Sequence, residues 1–331
     1  MFRRSPEGNP EPVTTLGYSL SSEEFDAPTL VEQAERAERA GFAFAGISDH
    51  FHPWVDAQGE SPFVWGTLGA ISQRTERLEL ITGVSCPTQR IHPAIVAQAA
   101  ATAAQLLPGR FALGVGTGEA LNEHVIGERW PSTVERQDRL AEAVEVIRGL
   151  WEGDLTSHRG EHYRVENARI YSMPAEPPPL LVAVAGSRSV ELAAEHGDGI
   201  IGTAPIAQSV KQYREEGGEG RPTYGQLHVC WAADEAEARK TAHRIWPNAA
   251  ITGGYMLEMT TPARFEEAAE NVREEDVAES VVCGPDPERH RAAIQEYVDA
   301  GYDHVYVHQI GDDQEGFFDF YEREVLPHFA G

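Results

Sequence analysis

Three short segments of this chain carry the residue types that chemistry needs. The first is Asp49-His50-Phe51-His52-Pro53-Trp54. A histidine beside a carboxylate can have its tautomer fixed and its basicity raised, which suits proton transfer near neutral pH. The plain alternative is an Asp49 that caps a turn and a His50 satisfied in the core. Trp54 either packs on a bound ring or fills an apolar lid. The second segment runs Gly114-Val115-Gly116-Thr117-Gly118-Glu119-Ala120-Leu121-Asn122-Glu123. As a dinucleotide fingerprint it fails, because the third glycine is misplaced and no acidic residue follows a next strand at the right distance. The glycines suit a close approach of backbone to a flat ligand. Glu119 then joins His50 as an acid/base pair in one site, unless it only caps a helix starting near Ala120. The third segment is Gly186-Ser187-Arg188, where a helix N-terminus beside an arginine is a natural phosphate site; a plain N-cap with a solvated arginine explains it equally. His50 and His52 also make a His-x-His pair, which at a barrel strand end can bind metal as in metal-dependent hydrolases. A bridging lysine and a later His/Asp set are lacking, so no metal is expected.

These segments need a scaffold that brings them together. Strand-like runs fall at 15–19, 42–48, 78–82, 111–115, 181–184, 199–202, 227–232 and 304–307, with helical patterns between them. Leu30, Ala34 and Ala37 recur at helical spacing and stop at Gly41. Leu140, Val144, Ile147 and Trp151 form another stripe. Eight strands alternating with helices predict a (β/α)8 barrel, with a doubly wound open sheet as the competitor. In a barrel the active site lies where the strands end, and polar and glycine residues concentrate there: Asp49 to Trp54, Gly83 to Thr88, Gly116 to Glu123, Gly186 to Arg188, Thr203 and His308. Two insertions interrupt the alternation. One spans 152–179 and carries a predicted hairpin of 162–165 with 169–171; the other spans 247–273. Residues 1–12 read as a flexible polar tail, and 13–331 as a single domain.

Composition removes whole classes of function. The chain of 331 residues has 53 acidic and 27 basic side chains and a net charge of −26. Only two of the basic residues are lysines, Lys211 and Lys240. So acidic a chain is a poor ligand for nucleic acid or an anionic membrane. Neither lysine sits in a Schiff-base or P-loop motif. No run approaches the length of a membrane span, and the start has no signal-peptide core. Cys86, Cys230 and Cys283 are odd in number and far apart, which reads as free thiols in the cytoplasm.

Taken together, Ser48 to Trp54, Gly114 to Glu123 and Gly197-Asp198-Gly199 resemble the luciferase-like monooxygenase superfamily. More narrowly, they look like its branch similar to F420-dependent glucose-6-phosphate dehydrogenase. The resemblance runs from Leu16-Gly17-Tyr18 to Leu326-Pro327. It implies a TIM barrel that binds coenzyme F420 and moves a hydride between substrate carbon and the deazaflavin. Carried over, His50 is the base, Trp54 a stabilising aromatic and Glu119 a proton donor near the ring. Asp49, Cys86, Thr117, Gly118, Asn122, Ala185, Gly186, Ser187 and Arg188 match cofactor-contacting positions. Gly83-Val84 matches a non-prolyl cis peptide against the deazaflavin face. Glu23, Thr203 and His308 match the substrate side. The sugar-phosphate enzymes clamp their phosphate with three cations, which fall here at or near Ile206, Met256 and Ser280; none is cationic. Each lost charge-assisted hydrogen bond is worth about 1.5–3 kcal/mol, so the expected substrate is a small alcohol, carbonyl or enone rather than glucose 6-phosphate. The resemblance also implies a homodimer. An FMN-dependent monooxygenase or reductase is the alternative within the superfamily; a metal-dependent hydrolase and a non-catalytic ligand-binding barrel are the alternatives outside it.

Overall fold

The computed structural model describes residues 14–329, and the tail expected over 1–12 lies outside them. The strands in chain order are β1 (Thr15–Leu20), β2 (Phe44–Ile47), β3 (Glu79–Thr82), β4 (Phe111–Val115), β5 (Thr156–Arg159), β6 (Arg164–Ala168), β7 (Leu180–Ala183), β8 (Gly199–Gly202), β9 (Thr223–Cys230), β10 (Val282–Cys283) and β11 (His304–Gln309). Eight of them run parallel in the order β9-β11-β1-β2-β3-β4-β7-β8, and β8 pairs back onto β9. That pairing closes a (β/α)8 barrel and eliminates the open sheet. β10 adds to β9 outside the ring.

The barrel closes because its strands are apolar on both faces, as parallel strands covered by helices must be. Inside, Phe44, Ile81, Ala112, Leu181, Ile201, Tyr224 and Tyr306 fill the bore. The Phe44 ring uses space that Gly17 leaves open; a Cβ at Gly17 would stand 2.5 Å from Phe44 Cζ. Outside, the helix Ala27–Ala40 lays Leu30, Ala34 and Ala37 against the sheet. It begins where Asp26 accepts the Thr29 N–H and ends at Gly41 with φ +100°, a left-handed stop that glycine adopts without penalty. Each fully buried large side chain of this kind contributes roughly 1.5–3 kcal/mol. Among the described residues no helix is long and apolar enough to cross a membrane.

Two expectations shift. β9 starts at Thr223, four residues before the expected 227, because its first residues pair with both neighbours at once: Thr223 with Ile200 and Tyr224 with His304. The hairpin in the first insertion is β5 against β6, not 162–165 against 169–171. A contact from outside sets that register. Glu142, on the helix Thr133–Trp151, accepts the N–H groups of His162 and Tyr163 at 2.9 and 2.8 Å and meets His158 Nε2 at 3.0 Å. The turn therefore forms around one carboxylate, and residues 162–163 are turn rather than strand. The second insertion folds over the barrel mouth, where Ile251 and Phe265 pack with Val55, Leu121 and Trp54.

Candidate active site

A cavity of about 1090 Å³ opens at the C-terminal ends of the strands. Most of the expected residues meet there. Glu23, His50, Trp54, Gly83, Val84, Cys86, Thr117, Gly118, Glu119, Ala185, Gly186, Thr203 and His308 line it. Asp49, Asn122, Ser187 and Arg188 do not line it.

His50 shows why. Successive residues at a strand end point to opposite faces, so adjacent Asp49 and His50 diverge. The partner of His50 is Glu23 instead: Nδ1 lies 3.2 Å from Glu23 Oε1, with side chains only 12% and 5% exposed. The contact is not aligned as a hydrogen bond, a common state of catalytic contacts before substrate arrives. Glu23 is held for it, because its Oε2 accepts the hydroxyls of Ser48 at 2.7 Å and Ser21 at 3.1 Å. The Trp54 ring stands edge-on to His50 at 5.0 Å and is backed by Phe265 at 5.1 Å. Asn122 sits behind this loop; its Oδ1 accepts the N–H groups of Phe51 and His52. His52 turns away, with Nδ1 2.9 Å from the Leu121 carbonyl oxygen, so the two histidines do not act as a pair. No group of three or more potential ligand side chains is placed to hold a metal among the described residues.

Asp49 turns inward to a buried ion cluster that sequence reading missed. Its Oδ1 meets Arg90 Nη2 at 2.8 Å and its Oδ2 accepts the Ser85 hydroxyl at 2.6 Å. Arg90 also donates its N–H to Glu123 Oε2 at 2.8 Å and places Nε 3.4 Å from Glu123 Oε1. One guanidinium thus serves two carboxylates, and no local motif marks a partner 41 residues from Asp49 in sequence. Burial pushes the Glu123 carboxyl up to about 7 against the pull of Arg90. The folded chain therefore holds this proton more tightly than the unfolded chain, where the ordinary value is 4.5. The contribution is fully present below that value and is lost as pH rises towards 7. Glu123→Gln keeps the neutral form. Thermal midpoints followed across that window should show a flatter profile for the variant, with the wild-type chain losing its advantage at the alkaline end. An unchanged slope would mean that Glu123 stays ionised beside Arg90.

A slot suited to a flat ring runs along this cluster. The Gly83–Val84 peptide is cis, and a Cβ at Gly116 would stand 2.7 Å from Val84 Cγ2. Gly118 has φ +78°, and a Cβ there would press on Glu123 Cγ at 2.7 Å. Cys86 packs beneath; burial drives its thiol well above the ordinary value, so it lines the slot without acting as a nucleophile. Glu119 occupies the N-cap position of the short helix Ala120–Glu123 but makes no capping bond. Glu119 lines the cavity.

At the helix Ser187–His196, the Ala185 and Gly186 N–H groups donate to Ser189 Oγ at 3.0 and 3.1 Å. Arg188 pairs with Asp138 outside the cavity. The cations that do line the cavity are Arg136 and Arg289. Arg136 donates to the Pro131 carbonyl oxygen at 2.7 Å and stacks over Trp130, and Arg289 donates to Glu235 and the Cys283 carbonyl oxygen, both at 3.1 Å. Met256 and Ser280 line the wall without charge. Neither lysine is there; Lys211 lies 3.8 Å from Glu215 and Lys240 2.7 Å from Glu237 on the surface.

Residues 11–304 match the family model described as luciferase-like monooxygenase. The chain is 37% identical over 325 residues to an F420-dependent glucose-6-phosphate dehydrogenase of Segniliparus rotundus, covering 94% of this chain and 97% of that protein. It is 38% identical over 335 residues to an F420-dependent hydroxymycolic acid dehydrogenase of Mycobacterium tuberculosis, covering 98% and 91%. A solved F420-dependent secondary alcohol dehydrogenase, in complex with an F420-acetone adduct, superposes with a TM-score of 0.89 at 30% identity, covering 96% of this chain and 99% of that one.

Proposed function

This chain belongs to the luciferase-like monooxygenase family, and we propose that it interconverts a small uncharged alcohol and its carbonyl compound, or reduces an enone. It is an F420-dependent oxidoreductase, as its relatives are. The glycine-lined slot beside Val84 fits a flat tricyclic ring, and Thr117, Gly118, Ala185 and Gly186 continue it along the wall. Bound F420 supplies the two-electron hydride acceptor or donor that no side chain provides.

The observation that carries the substrate reading is the pairing of two proton-handling groups with a wall that has Met256 and Ser280 where the resemblance puts phosphate-binding cations. His50, with Glu23 beside Nδ1, accepts the alcohol proton at Nε2. Glu23 then faces the imidazolium that results, an electrostatic support of the kind buried carboxylates give to histidine bases. Glu119 holds the proton that balances charge on the slot side. Trp54 and the second insertion keep water from the reacting carbon. A phosphate dianion meets no cation at positions 206, 256 or 280; of the two arginines lining the cavity, Arg289 is paired with Glu235, and Arg136 lies 3.5 Å from Glu258 with its Nε unpartnered. The same proposal includes a homodimer, which rests on the family resemblance, and a cytoplasmic location, which rests on the three free cysteines.

Following F420 absorbance with propan-2-ol and with glucose 6-phosphate tests this. The alcohol should win in kcat/KM by on the order of a hundredfold, the size of losing one to two charge-assisted hydrogen bonds. Efficient turnover of glucose 6-phosphate would overturn the substrate reading. Oxygen uptake with reduced FMN, and no binding of F420, would overturn the cofactor.

A further inference from the structure

A second buried set of titratable groups reaches the same cavity and takes no part in the chemistry above. His308 on β11 sits in register with His228 on β9, and their Nδ1 atoms are 2.9 Å apart. His308 Nε2 lies 2.7 Å from Glu24 Oε1. Glu24 Oε2 accepts the main-chain N–H of Gly311 at 2.8 Å. The side chains of Glu24 and His308 are 4% and 1% exposed. Trp246 covers both imidazoles, with ring centroids 4.5 Å from His308 and 5.8 Å from His228. His228 lines the cavity, and its Nε2 has no hydrogen-bond partner among the described residues.

Counting protons along this chain shows what His228 offers when each imidazole carries a single proton. Glu24 Oε2 faces a group that can only donate, so the carboxylate needs no proton of its own. Oε1 then takes the proton on His308 Nε2. With a single proton on its ring, His308 keeps a lone pair at Nδ1, and the Nδ1–H tautomer of His228 is the one that fills it. Burial pushes the His228 ring down to about 3, so that ring is neutral. Its Nε2 therefore meets the cavity as an acceptor without a proton. An apolar side chain at 228 would seal the wall equally well; the imidazole instead keeps a ring nitrogen at the cavity, beside a buried carboxylate and imidazole.

We infer that His228 is a specificity-determining residue whose Nε2 accepts a hydrogen bond from a second hydroxyl of an uncharged alcohol substrate. That hydroxyl lies away from the carbon that exchanges hydride. His308 and Glu24 are positioning residues that hold the tautomer. This rests on the alcohol-oxidising reading above and narrows its substrate to hydroxylated alcohols.

The test uses the F420-loaded enzyme with vicinal and one-carbon-spaced secondary diols, each beside its mono-methyl ether, which accepts but cannot donate at the second oxygen. At least one diol should exceed its ether by about three- to tenfold in kcat/KM, expressed mainly in KM, the size of one neutral hydrogen bond. His228→Leu should erase that preference while F420 affinity holds, and His308→Phe should weaken it. Equal use of diol and ether, or a preference that survives His228→Leu, overturns the inference. Nitrogen NMR of histidine-labelled protein reads the tautomer without turnover: a proton on His228 Nδ1 is expected, and a proton on Nε2 overturns the assignment. If F420 binds but no alcohol is oxidised, the functional reading fails, and the nitrogen spectrum still decides the state of His228.

Discussion

His50→Ala should lower kcat for alcohol oxidation by about a hundred- to ten-thousandfold, the range that a positioned general base supplies. Affinity for F420 should stay within about threefold of wild type. The separation follows from where the residue sits. His50 shares the cavity with the slot, but the slot itself is built from Gly83, Val84, Gly116 and Gly118. The partner variant makes the argument sharper. Glu23→Gln keeps an acceptor for the Ser48 and Ser21 hydroxyls but removes the negative charge that faces the imidazolium. It should cost about tenfold to a hundredfold, less than losing the base itself. The double variant should be scarcely worse than His50→Ala, because Glu23 acts through His50 and groups acting as a unit do not add. Stopped-flow single turnover with bound F420 measures all three. Full activity in His50→Ala would remove the base, and an additive double variant would give Glu23 a separate role.

The scaffold was legible because parallel barrels write themselves in apolar runs, and the eight runs fell on the eight barrel strands. The site was legible by the same route: residues after strands meet at one end, so His50, Trp54, Glu119 and Thr203 share a cavity. Sequence reading lost its hold where direction mattered. Adjacency suggested Asp49 as the partner of His50, yet strand alternation sends the two side chains apart, and Glu23 arrives from the end of β1. Nothing local to Asp49 announces Arg90, nor does anything near His308 announce Glu24 and His228. These are contacts between the ends of neighbouring strands, made by residues 41, 80 and 284 positions apart in sequence. The hairpin missed its register for the same reason, since Glu142 on a helix decides it. The lysine shortage carried further than any of these. It left positions 206, 256 and 280 without a cation, and Met256 and Ser280 line the cavity.

The largest effect on stability should come from Arg90→Met. Arg90 is 7% exposed, Asp49 0% and Glu123 1%. Removing the guanidinium leaves two carboxyl groups without their shared cation. Breaking a buried pair by deleting one partner costs about 3–5 kcal/mol, because the remaining charge has lost its water as well as its partner. The loss reaches function through Asp49, which holds Ser85 at 2.6 Å, the residue after Val84, which lines the slot. Arg90→Met should therefore weaken F420 binding by about tenfold or more, although Arg90 does not line the cavity. Adding Glu123→Gln should change little below pH 7, because burial already pushes the Glu123 carboxyl up to about 7 and loss of Arg90 removes the pull against that, while Asp49 stays unpaired and the binding defect persists. Replacing Asp49 with Asn in the Arg90→Met background should recover most of the stability. Urea denaturation and F420 fluorescence titration follow the two quantities separately. An Arg90→Met chain that unfolds at the wild-type midpoint would show that the cluster contributes nothing net. One that loses stability but binds F420 unchanged would cut the link from Asp49 through Ser85 to the slot.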